Sequence, residues 1–125
     1  MTERQENMTP QHIVDAVVES IQEKKGENIT VLDLRSIDNA ITSFFVICDG
    51  TSNVHVDSIA DSVEELVRKN ISEKPFHVEG RDNAEWILLD YLDVIVHVFQ
   101  KSTRELYKLE ELWADAKRED IAELS

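Results

Sequence analysis

Apolar residues recur at helical spacing in three parts of the chain, each preceded by residues that favour a helix start. Thr9 followed by Pro10 is typical of an N-cap and a first helical position, and Thr51 or Ser52 can cap the second part. Residues 102–105 have the pattern of a capping box before the third part. The apolar stripes comprise Ile13, Val14, Val17, Val18 and Ile21, then Val56, Ile59, Ala60, Val63, Leu66, Val67 and Ile71, then Leu106, Leu109, Trp113 and Ala116. This spacing predicts three amphipathic helices.

Five shorter segments are rich in β-branched, aliphatic and aromatic residues, as strands are. They lie at 28–34, 43–49, 76–79 and, as an antiparallel hairpin that reverses between Asp90 and Asp93, within 85–100. The element order is therefore α-β-β-α-β-β-β-α, and the second helix connects two strands in a right-handed βαβ unit. We expect a single α/β domain with a five-stranded mixed sheet and helices mainly on one face.

The first strand of the hairpin is apolar on both of its faces. Trp86 and Leu88 point one way, whereas Ile87, Leu89 and Tyr91 point the other way. Three helices of this length can hardly cover both faces of five strands, so part of one face or its edge should stay open. The pattern alone leaves open whether Trp86 is a core residue or the anchor of an interface.

The charge balance limits the classes of partner. The 125 residues include 26 acidic and 13 basic side chains, which gives a formal net charge of -13. Such a field repels phosphate and anionic membranes and attracts basic protein surfaces, so direct DNA binding is not expected. The single cysteine, Cys48, is predicted to be a buried thiol in a reducing compartment. Without an apolar run near the ~20 residues of a membrane span, a soluble cytoplasmic protein is expected.

Two kinds of catalytic or metal site are compatible with parts of the sequence, but simpler interpretations explain the same residues. Residues 49–52 form a strand-to-helix junction at which backbone N–H groups could bind a phosphate, as in a metal-dependent nucleotidyltransferase-like enzyme. Such an enzyme also needs two carboxylates one residue apart on a strand to hold Mg²⁺, and this chain has none. The sequence therefore favours a plain helix cap. His55, His77 and His97 have no ligand spacing, so neither a metal nor a cofactor is predicted.

Six motifs resemble the ribosomal silencing factor family, also called Iojap-related. They are Val31-Leu32-Asp33-Leu34, Phe45-Val46-Ile47-Cys48-Asp49-Gly50-Thr51-Ser52, His77-Val78-Glu79-Gly80, Trp86-Ile87-Leu88-Leu89-Asp90, Asp93-Val94-Ile95-Val96-His97-Val98-Phe99 and Arg104-Glu105-Leu106-Tyr107-Lys108-Leu109-Glu110-Glu111-Leu112-Trp113. The resemblance covers residues 9–113, so we expect a family domain there, flanked by a flexible N-terminus at 1–8 and a charged tail at 114–125. Leu92 departs from the pattern, because relatives usually carry glycine where the hairpin reverses.

The resemblance implies a cytoplasmic translation repressor and not a catalyst. Family members bind the large ribosomal subunit through its protein fourteen, a basic protein, and so block subunit joining when nutrients are short. It also implies a nucleotidyltransferase-like fold without the catalytic carboxylates. By correspondence, the contact surface should comprise Trp86, Ile87, Leu88, Asp90 and Tyr91. A homodimer that covers the Trp86 face with a second copy of the chain is a further hypothesis.

Overall fold

Four helices and six strands make up residues 8–123, the part of the chain that the structure, a computed structural model, describes. In chain order they are α1 (Pro10–Glu23), β1 (Glu27–Asp33), β2 (Phe44–Gly50), α2 (Asn53–Ile71), β3 (His77–Glu79), β4 (Trp86–Asp90), β5 (Val94–Gln100), α3 (Lys101–Tyr107), α4 (Leu109–Leu112) and β6 (Lys117–Asp120). The flexible N-terminus predicted for residues 1–8 lies outside the described residues, apart from residue 8.

The two long helices begin at the predicted caps. The side chain of Thr9 accepts a hydrogen bond from the backbone N–H of His12, and Pro10 occupies the first turn of α1. The hydroxyl of Ser52 accepts from the backbone N–H of His55 at 3.1 Å and caps α2. Both contacts satisfy backbone donors that a helix leaves unpaired in its first turn.

The predicted third helix is divided in two. It begins at Lys101, one residue before the proposed cap, and no side chain caps it, so the capping box predicted for Ser102 is wrong. Lys108 adopts a φ of 49°, which ends α3 and starts the single turn α4. Leu106, before the break, is 75% exposed, whereas Leu109, after it, is buried.

The sheet has six strands in the order β3-β4-β5-β2-β1-β6, and every neighbouring pair is antiparallel except β2 and β5. The prediction of five strands is therefore wrong. The sixth strand comes from the C-terminal tail, which pairs with β1 from Lys117 opposite Asp33 to Asp120 opposite Thr30. All four β6 residues are exposed, so the segment shows no apolar alternation that would mark it as a strand.

The helices cover one face of the sheet. Helices α1 and α2 pack on the main core cluster, which contains Val46, Cys48, Ile87, Leu89 and Val96 among its buried residues. The opposite face carries a smaller cluster, formed by Leu32, Leu34, Phe45, Ile47, Ile95, Phe99 and Leu109. The segment around α4 and the 34–40 loop pack over this second cluster, and Tyr107 of α3 packs against Trp86 at its margin. Trp86 and Leu88 are still only partly buried, so part of this face stays open, as predicted.

Candidate docking surface

Strand β4 places alternate side chains in two different environments. Ile87 and Leu89 are 0% exposed in the cluster beneath the helices. Trp86, Leu88 and Asp90 are half-buried, and the two apolar side chains pack at the margin of the second cluster. We refer to Trp86, Leu88 and Asp90 as the β4 surface. A row of partly exposed apolar side chains on a strand is typical of an interaction site.

Two of the five residues predicted to contact a partner point to the helix-covered side of the sheet. Ile87 is 0% exposed and Tyr91 is 2% exposed, and both belong to the core cluster beneath the helices. Neighbouring residues of a strand point to opposite faces, so Trp86 and Ile87 do not share a side-chain surface. A partner contact at Ile87 and Tyr91 stays a prediction, and in the isolated chain their side chains support the fold.

The indole of Trp86 is held by contacts on three sides. Its Nε1–H donates a hydrogen bond to Nδ1 of His97 at 3.1 Å. Its ring stacks on Phe99, with centroids 4.9 Å apart and planes inclined by 29°. Tyr107 lies against it at a centroid distance of 4.7 Å and is itself 48% exposed. The indole is therefore accessible but fixed in orientation.

His97 lies beneath this surface and is 4% exposed. Burial lowers the pKa of His97 to about 3, because the surrounding side chains cannot solvate an imidazolium ion. The neutral ring accepts a hydrogen bond at Nδ1, so its proton is assigned to Nε2. Among the described residues, Nε2 has no hydrogen-bond partner. His97 is thus one of the few buried side chains of which one hydrogen-bonding atom is paired and the other is not.

The structure adds two aromatic residues that sequence reasoning did not place at the site. Tyr107 lies outside the apolar stripe predicted for the third helix, and as the last residue of α3 it packs against Trp86. Trp113 is predicted to lie on a helix face, and its ring meets that of Phe45 edge-on at 5.8 Å. A helical period carries no information about either contact, because both partner rings lie on other elements.

The turn between β4 and β5 keeps a backbone conformation that favours glycine, although a leucine occupies it. Leu92 has a φ of 70°, and the backbone N–H of Asp93 donates to the carbonyl of Tyr91 across it, as in a γ-turn. The carboxylate of Asp90 accepts from the backbone N–H of Leu92 at 2.8 Å, and the hydroxyl of Thr42 donates to its carbonyl at 2.6 Å. These bonds hold Leu92 in the left-handed region, with its side chain 56% exposed.

Comparison with known proteins decides the family. The family model described as "Ribosomal silencing factor during starvation" matches residues 7–125. The chain belongs to the ribosomal silencing factor family. The ribosomal silencing factor of Halalkalibacterium halodurans is 37% identical over 109 residues, which cover 87% of this chain and 92% of that protein. A crystal structure of a Chromobacterium violaceum protein has a TM-score of 0.80 at 31% identity and covers 86% of this chain and 88% of its own.

Membership confirms the resemblance and associates this chain with translation regulation and with the ribosome. A more distant relative is the mouse protein named "Mitochondrial assembly of ribosomal large subunit protein 1". It is 28% identical over 102 residues, which cover 80% of this chain and 44% of the mouse protein. The names of the silencing factors describe a regulatory role. No helix within residues 8–123 has the length and apolarity needed to cross a membrane.

The strand-to-helix junction of this chain is occupied by its own side chains. The backbone N–H of Thr51 donates to Nδ1 of His55 at 2.9 Å, and the N–H of His55 donates to Ser52. These donors are the ones that a phosphate would need. Within residues 8–123 no three His, Cys, Asp or Glu side chains are grouped so that they could hold a metal ion. The geometry gives the nucleotidyltransferase hypothesis no support.

Asp49, at the end of β2, is held in a buried ion pair. Its carboxylate accepts from Arg104 at 3.1 Å, and Asp49 is 2% exposed. The same guanidinium donates to Glu110 at 3.0 Å and to the hydroxyl of Thr30 at 3.1 Å. That hydroxyl donates in turn to Asp120 of β6 at 2.8 Å. Arg104 therefore joins α3, α4 and the added edge strand to the centre of the sheet.

Proposed function

We propose that this chain binds the large ribosomal subunit through its ribosomal protein fourteen and sterically blocks association with the small subunit. Binding would take place in the cytoplasm, where the two subunits meet. The observation that carries the proposal is the half-exposed pair Trp86 and Leu88, on a strand whose intervening residues are fully buried. A strand that only served the core would have no reason to place an indole at the surface.

The apolar part of the β4 surface suits an interface anchor. Tryptophan is among the residues that contribute most to protein–protein binding, particularly when the side chain is already rigid in the free protein. Trp86 is rigid here because His97 and Phe99 hold its indole. Leu88 lies two residues further along the same face and extends the apolar contact.

The charge of the chain supports a basic partner. Asp90 belongs to the β4 surface, and Glu79 pairs with Leu88 in the register of β3 and β4. Both carboxylates therefore lie beside the apolar pair, on a chain with a formal net charge of -13. Acidic groups at the rim of an interface speed association with a basic surface and fix its orientation. The printed name of the mouse relative, which refers to the large ribosomal subunit, is consistent with such a partner.

The proposal is tested by co-sedimentation of purified protein with isolated large subunits. Truncation of a central interface tryptophan costs on the order of 2–4 kcal/mol, so we expect Trp86→Ala to weaken binding by roughly 30- to 1,000-fold. Val54→Ala is the matched control, because Val54 is 74% exposed at the start of α2. A folded Trp86→Ala protein that binds like the wild type would show that the β4 surface is not the docking site.

The electrostatic part is tested separately with Asp90→Asn. The amide keeps an oxygen that can accept from the N–H of Leu92, so the turn is preserved while the charge is removed. We expect binding to weaken by about three- to tenfold at low salt and by much less at high salt. Glu19→Gln on α1 removes an exposed charge from the helix-covered side and should have little effect. Equal effects of the two variants would count against a local charge contact.

A second copy of the chain is the competing occupant of the β4 surface. A charge at Ile87 would not test this, because Ile87 is 0% exposed and a buried charge would unfold the protein. Leu88→Glu places the charge on the surface itself. If light scattering finds a wild-type dimer that Leu88→Glu dissociates, and subunit binding persists in that variant, the surface serves self-association instead.

A further inference from the structure

The contact between Trp86 and His97 joins two neighbouring strands. Leu88 is directly opposite His97 in the antiparallel pair, so Trp86 reaches the histidine diagonally from two residues away. The indole Nε1–H donates to Nδ1 at 3.1 Å. The polar end of the indole is thereby turned towards the protein, and the side chain presents carbon to the outside.

His97 is itself unable to turn away from this bond. Its ring packs edge-to-face with Phe45 at a centroid distance of 4.6 Å and lies nearly parallel to Phe99 at 6.1 Å. Because the histidine is 4% exposed, water does not compete for Nδ1. The acceptor is therefore fixed and available in the free protein.

The histidine is poorly explained by stability alone. Its Nε2–H is buried and has no acceptor among the described residues. An unpaired buried donor destabilises a fold, and an apolar residue of similar size would avoid that cost. The one hydrogen bond that the ring does make is to Trp86, the central residue of the β4 surface.

We infer that His97 is a positioning residue for docking, which fixes the indole of Trp86 in its binding orientation and satisfies its N–H internally. The inference rests on the proposed function. A partner that covers Trp86 then meets a dry apolar surface, and no indole N–H has to lose water on binding. The orientation of the side chain is also set before the partner arrives, which reduces the entropy lost on association.

Two substitutions separate positioning from structure. His97→Leu has a similar volume but no acceptor, and we expect it to weaken binding to isolated large subunits by roughly tenfold, the effect of one hydrogen bond. His97→Asn places its side-chain oxygen near the position of Nδ1 and should restore binding to within about threefold of the wild type. Thermal unfolding measures how much of each variant is folded, and the affinities are compared for the folded fraction.

A measurement on the wild-type protein does not depend on the folding of any variant. The two indole N–H resonances are assigned in the nuclear magnetic resonance spectrum with the help of Trp113→Phe. We expect the N–H of Trp86 to exchange slowly with solvent and to show a coupling to the imidazole nitrogen. Fast exchange without that coupling would overturn the inference.

The affinities distinguish this inference from the proposed function. If Trp86→Ala abolishes binding while folded His97→Leu binds like the wild type, the positioning role is wrong and the docking site stands. Equal losses for His97→Leu and a well-folded His97→Asn would also overturn it, since the acceptor would then be irrelevant. If Trp86→Ala itself leaves binding intact, the docking surface is wrong and the inference falls with it.

Discussion

The buried histidine makes the stability of the protein sensitive to mild acid. The pKa of His97 is lowered by burial to about 3 in the folded protein, against 6.5 for the ordinary side chain. Between these two values the unfolded chain binds a proton that the folded chain does not. The protonation of His97 therefore leaves the free energy of unfolding unchanged above pH 6.5 and lowers it progressively as the pH falls from 6.5 towards 3.

The size of the effect follows from the difference in pKa. Each pH unit within this window removes about 1.4 kcal/mol, so the free energy of unfolding should fall by about 2 kcal/mol between pH 7 and pH 5. For a chain of this length that corresponds to a decrease in Tm of roughly 6–10 °C. The carboxyls of Asp33 and Asp120, whose pKa values are lowered from 3.8, do not contribute above pH 5.

The assay is urea unfolding followed by circular dichroism at pH 7, 6 and 5. We expect the free energy of unfolding of the wild type to fall between pH 7 and pH 5. In His97→Leu, which has no titrating group at this position, it should fall by about 2 kcal/mol less. Val54→Ala is the control, because Val54 is 74% exposed and has no titrating group. It should keep the pH dependence of the wild type. If His97→Leu lost as much stability as the wild type between pH 7 and pH 5, the reasoning from burial would be refuted.

Two further predictions concern the turn and the buried ion pair. Leu92→Gly should raise the free energy of unfolding by about 0.5–1 kcal/mol in urea titrations, since Leu92 has a φ of 70°. The same change at Leu106, exposed on α3, should lower it by about 1 kcal/mol, and a destabilised Leu92→Gly protein would contradict the strain argument. Arg104→Met should cost about 3 kcal/mol by leaving Asp49 buried without its cation. Adding Asp49→Asn should recover part of that loss, and strict additivity of the two changes would show that they do not interact.

Much of the fold was predictable because its causes are local. The caps at Thr9 and Ser52 satisfy donors within three residues, so short sequence patterns identify them. The β4–β5 hairpin is antiparallel and reverses between Asp90 and Asp93, as predicted. The alternation along β4 correctly separated Trp86 and Leu88 from Ile87.

The sequence predictions were wrong where contacts with a distant part of the chain determine the secondary structure. Strand β6 is charged and fully exposed, and only pairing with β1, about 90 residues earlier, makes it a strand. The bond from Thr30 to Asp120 and the bond from Ile121 to Ile29 are invisible in a local pattern. Arg104 of the short helix α3 is likewise held by Asp49 and Thr30, which lie more than 50 residues earlier on β2 and β1.

The sequence by itself determined the family and the kinds and order of the elements from α1 to β5, because periodicity, caps and motifs are properties of neighbouring residues. It also determined that β4 has two apolar sides. Only the tertiary structure decided which side the helices cover, and so which of the predicted contact residues a partner can reach. The acceptor that fixes the indole lies 11 residues from Trp86 on another strand, and only the packing of the sheet brings the two rings together.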